Sequence, residues 1–183
     1  MSGSLADALR DWHDFYVLIG TAAATLVGLM FVAASIGASY FTVEREHGLH
    51  NFLTPTVLHF TATLVACLVV LAPNHGPLSL AIILFVGSIV GLCYSGRRWL
   101  VVRRRKYEID LADQLWYLVG PLTSYALIAA AAGLVLSRAD PELGLDLLSA
   151  GLVLLLLLGI RNAWDMTTWI AVRAPAPASN PPQ

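Results

Sequence analysis

Residues 15–40 read FYVLIGTAAATLVGLMFVAASIGASY, without one charged side chain. A helix rises about 1.5 Å per residue and a bilayer's hydrocarbon core is about 30 Å thick, so roughly 20 apolar residues suffice to cross it. This stretch is long enough. Its apolar run is continuous rather than alternating, which predicts a helix and not a barrel strand. Working outward, Phe52 to Ala72, Leu78 to Gly96, Leu115 to Ser137 and Leu147 to Val172 meet the same condition, making five spans in all. The chain of 183 residues is 57% hydrophobic and 13% charged, with a mean hydropathy of +0.71, a balance suited to lipid rather than water. The expected fold is all-α: a polytopic transmembrane helix bundle occupying residues 1–173 as one domain. The Pro- and Ala-rich tail, residues 174–183, is expected to be disordered.

Charge sets the expected orientation. Between the third and fourth spans stand Arg97, Arg98, Arg103, Arg104, Arg105 and Lys106, the densest basic run in the chain. Basic loops stay in the cytoplasm, so this connection is assigned there, with the N-terminus outside and the C-terminus inside. Eight basic residues then fall inside (Arg45, those six and Arg173), two outside (Arg10 and Arg138), and Arg161 lies within a span. The same run can hold anionic headgroups, each cation contributing on the order of 1 kcal/mol near the surface. Trp12, Trp99, Trp116, Trp164 and Trp169 stand near span ends, where an indole favours the headgroup region. Between the second and third spans, Pro73, Asn74, His75, Gly76 and Pro77 predict a tight turn and neighbouring antiparallel helices.

A cleavable leader is not expected, because Asp7, Asp11 and Asp14 surround Arg10 where a basic region would be needed, and no lipidation motif is present. Cys67 and Cys93 fall inside apolar segments and read as packing residues, neither a disulfide nor a zinc site.

Polar groups inside hydrocarbon need a partner or a purpose. In the first span Thr21, Thr25, Gly28, Ser35 and Ser39 share one narrow stripe at helical spacing. Such a stripe serves either as a seam for close helix packing or as the lining of a water-filled path. Gly87 and Gly91, beside Ser88, invite the same two readings. His59 stands about 12 Å from the cytoplasmic end of the second span, with Pro55 expected in that helix's first turn. Arg161, Asn162 and Asp165 lie at similar depth in the fifth span, and Arg161 and Asp165, four apart, share a face and can pair. Ser35, Ser88, Thr123 and Ser124 fall near the same level. The expectation is a polar layer of His59, Arg161, Asn162, Asp165, Ser35, Ser88, Thr123 and Ser124, acting as a structural tie or as a gate or ion site.

Outside the spans, Glu44, Glu46, His47 and His50, and Asp11, His13 and Asp14, are ligand-type residues without the spacing of a defined metal site, so no metal and no cofactor are expected. The basic run is tethered at the bilayer and carries no recognition fold, which argues against nucleic acid. No Walker loop, dinucleotide fingerprint or nucleophile elbow is present, and no catalytic constellation is expected.

Residues Phe15 to Ala33, Thr54 to Phe60 and Arg161 to Asp165 resemble segments of small integral membrane proteins of bacteria, a resemblance that runs over most of the chain and implies no defined activity. The expected function is a homo-oligomeric channel or transport protein for ions or small solutes in the bacterial inner membrane. Five short helices hardly enclose a solvated pore alone, hence the expected copies. The alternative is a scaffold or modulator of a larger membrane complex, docked through the first span.

Overall fold

In the computed structural model every described element is helical. The structure describes residues 5–37, 46–73, 76–104, 115–137 and 140–173. The expected tail, Ser39, Arg105 and Lys106 lie outside the described residues, as do the side chains of Arg103 and Arg104. A short helix α1 (Leu5–Asp11) precedes α2 (His13–Gly37), α3 (Glu46–Leu71), α4 (Pro77–Arg104), a π-turn (Leu115–Val119) leading into α5 (Gly120–Ser137), and α6 (Pro141–Arg173). Five of these segments are long and apolar enough to cross a membrane.

Helix ends differ from the sequence reading in three places, each for a local reason. α6 starts at Pro141, ahead of the expected Leu147, because Asp140 caps it: the Leu143 amide donates to Asp140 Oδ1 at 3.0 Å, and Pro141 fills the first position, where no donor is needed. α4 runs on past Gly96 through Arg97 and Arg98 to Arg104, so that part of the basic run is helical and not a loop. α3 begins at Glu46, which puts Pro55 inside the helix rather than in its first turn. A proline there removes the amide that would bond the carbonyl four residues back, at Asn51.

α5 packs between α4 and α6, α6 also lies against α3, and α3 against α2. The tight turn from Pro73 to Pro77 predicts that α3 and α4 pair closely; instead they share only a short seam. An apolar cleft opens between them, lined by Ala62, Val65 and Val69 of α3, Ile83 and Gly87 of α4, and Tyr125 and Ile128 of α5. What draws α4 toward α5 is Gly91, whose missing side chain leaves room for the Tyr125 ring. At Gly159 of α6 the ring of Phe60 fills the equivalent space from α3.

The core is a leucine ladder on α6, Leu145, Leu148, Leu152, Leu155 and Leu158, at spacings of three and four. Tyr16 of α2 donates to the Leu145 carbonyl at 3.3 Å and closes the opposite end of the bundle from Arg98. The pattern is inverted relative to a protein in water. Leu18, Leu29, Phe31, Leu68, Ile82, Phe85, Val90 and Leu157 point outward, while Thr56, His59, Thr63, Ser88, Ser95, Ser124 and Asn162 are buried. An apolar exterior this extensive suits a hydrocarbon solvent.

Candidate functional site

Periodicity along four helices brings polar side chains to one place. On α3 the inward stripe runs Thr56, His59, Phe60, Thr63, Cys67 and Val70, so His59 is carried inside by the same repeat that buries Phe60 and Val70. On α4 the inward stripe runs Leu84, Ser88, Gly91, Ser95 and Arg98, at steps of four and three. Arg98 is therefore half-buried and lines the inner face of α4, whereas Arg97, one residue earlier, is exposed. The π-turn before α5 places Tyr117, and its wider turn accommodates Pro121, whose ring would crowd the carbonyl four residues back in a tighter helix. α6 contributes Asn162.

His59, Tyr94, Ser95, Arg98, Tyr117 and Asn162, together with Pro55 and Pro121, line a cavity at the Arg98 end of the bundle. The space admits about one water molecule. His59 is 2% exposed, and its Nδ1 stands 3.2 Å from the hydroxyl of the equally buried Tyr125, which fixes the ring across α3 and α5. Thr63 donates to the His59 carbonyl at 3.0 Å. Ser95 is 5% exposed and its hydroxyl has no hydrogen-bond partner among the described residues.

Beside the cavity lies a second polar group. Tyr117 donates to Asp165 Oδ2, and Arg161 Nε stands 3.7 Å from the same oxygen. The Arg161 guanidinium also covers the Trp116 ring, 5.3 Å from its centroid. Arg161 and Asp165 are each about a third exposed, so the pair sits at the rim of the bundle rather than in its core.

The structure thus gathers His59 and Asn162 of the expected layer at the cavity, with Arg161 and Asp165 adjoining. Ser88 and Ser124 are buried elsewhere, bonded to the Phe85 carbonyl at 2.7 Å and the Gly120 carbonyl at 2.9 Å. Ser35 and Thr123 are exposed, and each hydroxyl returns to its own helix, Ser35 to Phe31 and Thr123 to Val119. On the α2 stripe Thr21, Thr25, Gly28 and Ser35 all face away from the bundle. Thr21 donates to the Val17 carbonyl at 2.8 Å and Thr25 to the Thr21 carbonyl at 2.9 Å, and nothing lies within 4 Å of where a Gly28 side chain would begin. Among the described residues no three His, Cys, Asp or Glu side chains converge as a metal site would need.

Tyr94, Ser95, Arg98 and Tyr117 are cavity residues that reading the sequence missed. The signal for Arg98 and Ser95 is their register with Ser88 and Gly91, which in the sequence is overlaid by the basic run that follows. Comparison with protein-family models, curated proteins and solved structures found no match to this chain.

Proposed function

We propose that this chain is a membrane transport protein for ions or small solutes, working as a homo-oligomer in a bacterial inner membrane with its Arg98 end toward the cytoplasm. The observation that carries this reading is the polar cavity held by α3, α4, the start of α5 and α6 inside an apolar bundle. A purely structural tie satisfies its own members, as the back-bonded Ser88 and Ser124 do. Ser95 and Arg98 do not follow that pattern: the first has no hydrogen-bond partner and the second no ion pair among the described residues. A buried hydroxyl without a partner is costly, and beside it stands a half-buried charge, an arrangement that suits a polar guest better than a finished core.

One chain's cavity holds about one water molecule, so a continuous path needs either rearrangement or several copies. α2 is the least buried of the five long helices, and its small-residue stripe faces outward, where a second copy can approach closely. The basic residues at the Arg98 end support the orientation and contact with anionic headgroups. The scaffold reading draws on one observation: Thr21, Thr25 and Ser35 already donate to their own backbone and require no water.

Reconstitution into vesicles, with sodium, potassium and chloride flux measured beside the mass in mild detergent, tests the proposal. Transport predicts several copies and flux, with Gly28→Leu disrupting assembly. An assembled protein that passes none of these ions returns the chain to the scaffold reading.

A further inference from the structure

We propose that the cavity at the Arg98 end binds one small inorganic anion of about chloride size. This deepens the transport reading by naming the class of ion and rests on that reading for flux, though not for binding. Arg98 brings a guanidinium with N–H donors only, Ser95 an unpartnered hydroxyl, Asn162 an amide and Tyr94 a phenol, all lining the same space. Among the described residues no carboxylate lines it. Asp165, which is not part of the lining, accepts from Tyr117 and faces Arg161. Among the described residues the walls therefore carry one formal positive charge and no formal negative one.

A cation would meet that charge with no acid to offset it. Water would satisfy Ser95 but leave the half-buried Arg98 guanidinium without a counter-ion among the described residues. A single anion satisfies both. The room available, about one water molecule, selects a monatomic halide or one oxygen of a larger oxyanion. Two sources offer that chemistry, a free ion or the phosphate of an anionic lipid reaching in from the surface. The enclosed position of Ser95, deeper along α4 than Arg98, favours the free ion.

The test is thermal unfolding of the purified protein in neutral detergent, starting in gluconate buffer and replacing gluconate by chloride or bromide at constant ionic strength. The midpoint temperature is expected to rise saturably with halide in the wild type and in Arg97→Gln. The response should vanish in Arg98→Gln, and Ser95→Ala, which removes a donor without adding bulk, should need about tenfold more halide, the loss of one charge-assisted hydrogen bond. Ser95→Ala keeps the test decisive if Arg98→Gln does not fold. Nanodiscs of phosphatidylcholine with and without phosphatidylglycerol form the second arm. Stabilisation by phosphatidylglycerol but not by halide, weakened equally by Arg97→Gln and Arg98→Gln, would assign the site to a headgroup and overturn the free-ion proposal. No response to either removes the site. Halide binding without flux would leave this inference standing and sink the transport reading; cation flux without halide binding would do the reverse.

Discussion

Gly91 lies against the ring of Tyr125, so an alanine methyl placed there would stand 2.5 Å from Cζ and nearer still to two other ring carbons. Tyr125 has little freedom to yield, being 2% exposed and held by His59 across α3 while α5 is clasped between α4 and α6. Overpacking of this kind costs about 1–3 kcal/mol. Alanine returns about 1 kcal/mol by its better helix propensity, leaving a net loss of up to about 2 kcal/mol for Gly91→Ala. Gly87, about one turn earlier on α4, has nothing within 4 Å of its missing side chain, so Gly87→Ala should be neutral or slightly stabilising. The propensity gain is common to both variants, and their difference isolates the ring contact. Reversible unfolding in mixed micelles, followed by circular dichroism, measures it. Equal stability of Gly91→Ala and Gly87→Ala would refute the close approach of α4 to α5.

Other expectations follow from single contacts. Removing Arg161 or Asp165 alone should harm stability more than removing both; because each is about a third exposed, the coupling in a double-mutant cycle should stay under about 1 kcal/mol, and strict additivity would rule the pairing out. Asp140→Ala should cost about 1 kcal/mol in the same unfolding assay, since it releases the Leu143 amide at the start of α6; an unchanged protein would show that the cap does not hold that end. In whole cells, cysteines introduced in a cysteine-free background should be labelled from outside at position His75 and not at Arg97, and the reverse would invert the orientation.

The five long helices were legible because an apolar run of that length leaves few alternatives, and counting turns put His59 and Asn162 at one level, where they line the same cavity. Lateral arrangement was not legible. Whether α4 pairs with α3 or α5 depends on where Gly91 meets Tyr125, a matter of shape between residues 34 apart. Glu142 and Asp146 interrupted the apolar pattern and hid the early start of α6, although Asp140 and Pro141 are a capping signal in their own right. The α2 stripe shows the converse difficulty. Its spacing established that the hydroxyls share a face, yet spacing cannot say whether that face turns inward, and the structure turns it out. Arg98 was hidden by its company: six cations in ten residues read as a surface feature, while one of them follows the inward register of Ser88, Gly91 and Ser95.

The claim that the Arg98 cavity is a working site, rather than a knot that holds four helices together, is tested most directly by ion flux in vesicles. Wild type would be compared with Arg98→Gln and with Arg97→Gln, which makes the same charge change on the exposed side of α4. A working site predicts that Arg98→Gln assembles as the wild type does and loses most of its flux, while Arg97→Gln retains it. Equal flux in all three assembled proteins would contradict it.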